Sequence, residues 1–294
     1  MAQAPTRTAE RASSQVKPEA PRRRILVSLA GRRAPIEAID FGRSIAETIG
    51  ATLHGLFVWP SSISPREVPR LLEIDADALR GMVLDVAVGD PAERLAACTR
   101  ANAVTFLVLP AETEGPDPCG LGVAAARALQ QAGSGVIVVR PGHAPRRLAR
   151  ILVPLDGTPS MAAALAPAGE LARLAGASLD IVMVGQIERP TPRPSEEGSM
   201  CTPQYVDQPQ HEWPAFSQEF TERFLRSIGR CPRGVPTRFF LRSGDPAGEI
   251  LRASSDLGAD LIALVWHGGC EGEHGAVFRR VLRDAGLPVL VLRC

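Results

Sequence analysis

Long apolar runs, paired cysteines and an excess of charge of either sign are all scarce in this chain of 294 residues. The longest apolar runs, such as Val136 to Val139 and Leu261 to Trp266, fall far short of the ~20 residues needed to cross a bilayer, so no transmembrane helix is expected. Residues 1–23 mix Arg, Glu, Ser, Gln and Pro without an apolar core segment. They read as a disordered N-terminal arm rather than a signal peptide, and a cytoplasmic location is the matching expectation. The six cysteines (Cys98, Cys119, Cys201, Cys231, Cys270 and Cys294) form no C-x-x-C pair and no regular spacing, which argues against a disulfide framework or a zinc ribbon. A formal net charge of +1 with a single tyrosine gives no pull toward nucleic acid or a membrane surface, so the short cluster Arg22, Arg23, Arg24, Arg32 and Arg33 reads as solvated surface. No G-x-S-x-G elbow is present and no Cys sits in an ordering motif, so nucleophilic hydrolysis lacks a carrier and no catalytic residue is assigned.

What the chain does contain is a repeat. A shift of 126 positions lays RILVSLAG at Arg24 to Gly31 on RILVPLDG at Arg150 to Gly157, and IGATLHGLFV at Ile49 to Val58 on AGASLDIVMV at Ala175 to Val184. After a length change, VGDPAERLAA at Val88 to Ala97 answers SGDPAGEILR at Ser243 to Arg252, and Ala124 to Arg140 answers Val277 to Arg293. Blocks that recur in one order mean a duplicated domain. The boundaries read as a first domain over 24–141, a linker over 142–149 marked by Pro141, Gly142 and Pro145, and a second domain over 150–294.

Each copy alternates short Val, Ile and Leu runs with helical stretches, the pattern of a parallel sheet covered on both faces. The expected architecture is α/β: two tandem doubly wound domains, each a five-stranded parallel sheet with helices on both faces. In the second copy the strands fall at Ile151 to Leu155, Ser178 to Val184, Thr237 to Arg242, Leu261 to Trp266 and Val289 to Leu292. Asp90-Pro91 and Asp245-Pro246 each set a capping Asp before a Pro at the first helical position, and Gly50, Gly176 and Gly258 stand where helices stop. Residues 186–213 read as a Pro-rich loop leading into a helix near 214–228.

In open α/β sheets, ligands bind outside the carboxyl ends of the strands where strand order reverses. Two segments of the second copy answer to that place: Asp156 after the first strand, and the run from Trp266 through Gly268, Gly269, Gly272 and Gly275 to Ala276 and Val277. A glycine-rich turn into a helix offers backbone N–H groups to a phosphate, and a strand-end carboxylate can bond a ribose hydroxyl or a base amine. His267, Cys270 and His274 carry metal-ligating side chains, but no fourth ligand is placed by the sequence. They are read as turn residues, and no metal is expected.

The VPLDG strand end, the GDPAGEIL turn, the ADLIALVWHG strand and the closing RRVLRDAGLPVLVLR together resemble the universal stress protein family, in tandem form, over nearly all of both copies. The resemblance implies a five-stranded parallel sheet, related to the adenine nucleotide alpha hydrolase-like fold, that binds ATP or another adenine nucleotide in many members. It also implies dimerisation through the last strand, within the chain as a pseudo-dimer and, as a further expectation, between chains as a homodimer. The family's G-x-x-G, about nine residues, G-[ST] pattern maps to Gly269 and Gly272, then Gly275 and Ala276. Here only Glu273 and His274 separate the two pairs, Ala276 stands where a hydroxyl would, and Glu271 and Glu273 add negative charge. In the first copy Ala30 replaces the strand-end Asp and no G-x-x-G follows, so no nucleotide is expected there. Two functions stay open: a nucleotide-responsive stress regulator without robust catalysis, or a ligand-independent interaction module with a vestigial loop. The terminal runs Val136 to Val139 and Val289 to Leu292 are uncharged edges, expected to pair with each other while Arg140 and Arg293 flank them in solvent.

Overall fold

The computed structural model describes residues 23–29, 34–101, 104–111, 123–132, 134–143, 147–155, 164–185, 233–266 and 272–293. In the first half the apolar runs form β1 (Arg24–Ser28), β2 (Thr52–Trp59), β3 (Val83–Val88), β4 (Phe106–Pro110) and β5 (Gly135–Val139). Between them lie α1 (Ile36–Ile49), the short α2 (Val68–Leu71) between 3-10 turns at Pro65–Glu67 and Ala76–Leu79, α3 (Pro91–Ala101) and α4 (Val123–Gln131). The second half repeats this with β6 (Arg150–Leu155), α5 (Leu165–Ala175), β7 (Ser178–Gly185), β8 (Thr237–Ser243), α6 (Pro246–Asp256), β9 (Leu261–Trp266), α7 (Gly272–Asp284) and β10 (Val289–Arg293). The Pro-rich loop and the helix expected near 214–228 lie outside the described residues.

Local chemistry sets the helix ends alike in both halves. The carboxylate of Asp90 accepts the Glu93 N–H at 3.0 Å, and that of Asp245 accepts the Gly248 N–H at 2.9 Å, each satisfying a donor left free in the first helical turn. The same two carboxylates face arginines of the next helix, Arg127 at 3.9 Å and Arg280 at 2.6 Å, so each cap also docks a helix pair. Gly50 and Gly176 end α1 and α5 at φ of 65° and 64°, a left-handed conformation that costs a residue with a Cβ.

The ten strands form one sheet in the order β3-β2-β1-β4-β5-β10-β9-β6-β7-β8. Each half is parallel throughout and carries the same internal order, read outward from the centre. β5 and β10 meet antiparallel through Val289↔Val138, Leu290↔Ile137 and Val291↔Val136. Ile137 and Leu290 are equivalent residues in the repeat, so a pseudo-twofold axis passes between them.

Helices cover both faces of this sheet. One apolar layer gathers Ile39, Ile45, Leu165 and Leu171 from α1 and α5 over Ile25 and Ile151. The other gathers Leu95 and Leu129 with Ile250, Val281 and Leu282 over Leu107 and Ile262. Both layers run across the β5·β10 seam without interruption, so the halves share their core. The outer edges are β3 and β8, and the large hydrophobic residues exposed among those described, Val83, Val88 and Leu241, lie on these two strands.

Of the two seam arginines that the sequence placed in solvent, Arg293 is exposed, whereas Arg140 is partly withdrawn from water. Arg140, at the end of β5, is half-buried and donates from Nε, at 3.2 Å, and from Nη2 to the Leu282 carbonyl in the last turn of α7. Arg293, at the end of β10, donates from Nη1 to the Gln130 carbonyl in the last turn of α4 at 2.6 Å. Each half thus supplies a cation to the carbonyl-rich end of a helix in the other, where the helix dipole favours positive charge. Burial, outweighing the opposing pull of the neighbouring Asp284 carboxylate, holds the Arg140 guanidinium below its ordinary pKa range, as expected for a charge partly withdrawn from water.

Arg140→Ala is expected to cost about 1.5–3 kcal/mol in urea unfolding of the full chain, since it removes charge-assisted bonds from a half-buried site, and Arg293→Ala less than about 1 kcal/mol. Equal, negligible costs would show that these bonds contribute nothing across the seam.

Candidate functional site

β6 is the switch point of the second half, flanked by β7 on one side and β9 on the other. Its ladder to β7 runs the length of the strand, from Arg150↔Ser178 to Leu155↔Met183. Its ladder to β9 holds only Ile151↔Leu261 and Leu152↔Ile262. Beyond those pairs the carboxyl ends of β6 and β9 part, and the crevice so formed ends at Leu155 and Trp266. α7 starts at Gly272, six residues past the end of β9, so its first turn stands beside this opening.

Of the candidate residues, Asp156, Gly268 and Gly269 lie outside the described residues. Gly272 is the first residue of α7, and Gly275, Ala276 and Val277 lie within that helix rather than in a loop before it. The amides of 272 to 274 have no acceptor inside the helix, whereas from Gly275 onward, Ala276 and Val277 included, they belong to its ladder. Gly275 is buried on the stripe that continues through Phe278, Val281, Leu282 and Ala285. It faces the sheet, while Ala276 is exposed and Val277 is half-buried against the layer under α6 and α7. His267 and Cys270 lie outside the described residues, and among those described no group of three or more His, Cys, Asp or Glu could hold a metal ion.

Two buried polar groups stand apart from the sequence reading. Trp266 is 4% exposed and its indole Nε1 is buried with no hydrogen-bond partner. The signal was an indole closing an otherwise aliphatic strand just before a glycine run. Asp180, on β7, is fully buried. It accepts two bonds from the Arg238 guanidinium of β8, both at 2.8 Å, and lies 3.6 Å from Arg150 Nε. A carboxylate inside an apolar strand is tolerable only with such pairing. Its repeat equivalent is His54, whose Nδ1 lies 3.7 Å from the Asp85 carboxylate of β3, so in both halves a polar pair ties the outer strand to its neighbour. Asp180 sits near the amino end of its strand, at the opposite end of the sheet from the crevice.

That opposite end also holds an open cleft of about 510 Å³ between the linker and the second half, lined by His143, Ser254, Ser255, Asp260 and Asp284 among others. Its polar groups serve the fold. Asp260 accepts the amides of Ala149 and Arg150 at 2.9 and 3.0 Å, Ser254 donates to the Leu251 carbonyl, and the Arg283 guanidinium holds the Asp284 carboxyl below its ordinary range. Cys98 is half-buried, and burial, then the Asp85 carboxylate, pushes its thiol up, away from the reactive thiolate; the other five cysteines lie outside the described residues. Among the described residues no helix is long and apolar enough to cross a membrane.

In doubly wound α/β proteins that bind a small ligand, the ligand lies in the crevice at such a switch point; the fold by itself assigns no function. Comparisons with known proteins narrow the possibilities. Residues 148–293 match the model of the Universal stress protein family. The chain is similar over most of its length to a universal stress protein from Archaeoglobus fulgidus, at 15% identity, covering 92% of this chain and 96% of that one with a TM-score of 0.58. A functionally unknown protein from Pseudomonas aeruginosa is similar at 16% identity, 92% of each chain and a TM-score of 0.59. A protein from the universal stress protein family of Burkholderia pseudomallei is 30% identical, covering 51% of this chain and 98% of that one with a TM-score of 0.33. Among curated proteins none matches. The chain belongs to the universal stress protein family.

Two substitution tests follow from the buried groups. Arg238→Ala is expected to cost about 3 kcal/mol or more in urea unfolding, because it strips a fully buried carboxylate of its bidentate partner. Asp180→Ala should cost less, since the arginines it releases can turn to water; the reverse order would contradict this assignment. Gly275→Leu should cost about 1–3 kcal/mol by overpacking beneath α7, whereas Ala276→Ser on the exposed face should stay within about 0.5 kcal/mol.

Proposed function

We propose that the protein is a cytoplasmic stress-response regulator that holds one adenine nucleotide per chain, in the crevice between the carboxyl ends of β6 and β9, without robust catalysis. The observation that carries this reading is the parting of β6 and β9 after two ladder pairs, with the free amides of the first turn of α7 beside the gap. An anion placed there meets aligned N–H donors and the positive end of the helix dipole. Asp156, Gly268 and Gly269 are assigned to the same ligand, the carboxylate toward the ribose or base and the glycines toward the phosphates. Gly272 belongs with them at the helix start, while Gly275, Ala276 and Val277 support the turn from within the helix.

The donors present fit a nucleotide's phosphates in kind, and the family pattern makes adenine the expected base. Glu271 and Glu273 oppose a high negative charge, each by about 1 kcal/mol in water and more near the protein surface, so ATP should bind weakly. The pseudo-dimer formed by the two halves would then be a scaffold with one working site, because the first half has Ala30 where the second has Asp156.

A second reading, a ligand-independent interaction module, is favoured by one feature: Gly275 faces the sheet, so part of the glycine pattern serves packing. Thermal shift and calorimetry with ATP, ADP and AMP separate the two. A ligand at a hundredfold over its Kd should stabilise the chain by about 2.7 kcal/mol with a stoichiometry near one, and Asp156→Ala should abolish the effect. No shift with any of the three would leave the interaction module as the function.

A further inference from the structure

The orphaned indole of Trp266 lies where two rows of side chains meet. Along β9, Ile262, Leu264 and Trp266 point into the layer beneath α6 and α7, while Leu261, Ala263 and Val265 point into the other layer. α7 leaves from the carboxyl end of β9 and returns toward the amino end of the parallel strand β10, so it runs antiparallel to both. Its buried row, read from the start, is Gly275, Phe278, Val281 and Leu282, with Ala285 just past its end. The last member of the strand row and the first member of the helix row therefore lie at the same end of this layer, where the strand supplies a large indole and the helix a residue without a side chain.

This placement explains the room for the ring but leaves its polar atom unexplained. Trp266 Nε1 is buried and has no acceptor. Buried indole N–H groups nearly always find a partner, and one left alone loses its hydration without recompense. Another set of free donors is the first turn of α7, which begins six residues beyond Trp266 and whose amides also lack acceptors inside the helix. A single kind of group serves both: an anionic oxygen at the inner side of that helix start.

We propose that Trp266 is a ligand-binding residue, donating its Nε1–H to a phosphate oxygen of the molecule bound at the start of α7. This rests on the nucleotide reading of the crevice and adds to it a neutral donor, placed under the helix, that recognises the phosphate rather than the adenosine. The ring also makes the site self-reporting, because the phosphate would sit against the indole. The other tryptophans, Trp59 and Trp213, can be removed to isolate that signal.

The test uses the full chain and its Trp266→Phe variant, titrated by calorimetry with ADP and with adenosine. ADP affinity should fall about tenfold in the variant, as for loss of a hydrogen bond to a charged group, while adenosine affinity is unchanged. Equal ADP affinity in the two proteins would overturn the proposal and leave the nucleotide reading intact. In a Trp59→Phe, Trp213→Phe background, which keeps Trp266, ADP and inorganic pyrophosphate should each change the indole fluorescence and adenosine should not. That readout holds even if Trp266→Phe does not fold. If the wild type binds no adenine nucleotide, the function proposed above fails, and pyrophosphate alone decides the matter for Trp266: a saturable fluorescence change supports the assignment, and none overturns it.

Discussion

The antiparallel pairing of β5 with β10 is the constraint on which the rest of the structure depends. Each half taken alone would end in an unprotected strand of Val, Ile and Leu with a full row of free amides and carbonyls, a template for aggregation. Pairing the two within one chain removes both edges together. It also makes the sheet continuous, so that the apolar layer of α1 and α5 and the layer on the opposite face extend through both halves. Arg140 and Arg293 extend the same junction beyond the strands, each reaching into the partner half to meet the carbonyl end of a helix.

This junction has a functional consequence. Because the halves are related by a pseudo-twofold axis, their carboxyl strand ends point in opposite directions along the strands, and the two switch points, at β1 and β6, are separated by four strands. Neither needs the other to complete a ligand site. The first half could therefore lose its strand-end carboxylate, with Ala30 in its place, and still supply its share of the core. Both halves contribute to the shared core, while Asp156 stands in the second half at the position that Ala30 holds in the first.

Much of this was legible in the sequence, for physical reasons that can be named. Strands buried on both faces appear as unbroken aliphatic runs, so β9 was read as Leu261 to Trp266 and found there, and β6, β7, β8 and β10 differ by one residue at an end. The caps at Asp90 and Asp245 were visible because capping is local. The side-chain partners across the sheet were not. Nothing in the neighbourhood of Arg140 announces a carbonyl more than a hundred positions away, and Asp180 reads as a misfit until Arg238 is brought beside it by the β7·β8 register. The local structure of the candidate glycine segment was legible only in part. Glycine spacing suggested a loop, whereas the helix already starts at Gly272, which turns Gly275 to the sheet and moves the free amides one turn earlier.

The most direct test of the shared core is native-state hydrogen exchange across the β5·β10 seam. Amides of Val136, Val138, Val289 and Val291 should exchange only through global unfolding, as slowly as the interior amides of β1 and β6 and with the same dependence on denaturant. Seam amides that exchange faster than those of β1 and β6, through an opening that leaves both halves folded, would show that the halves are independent units held together by their linker.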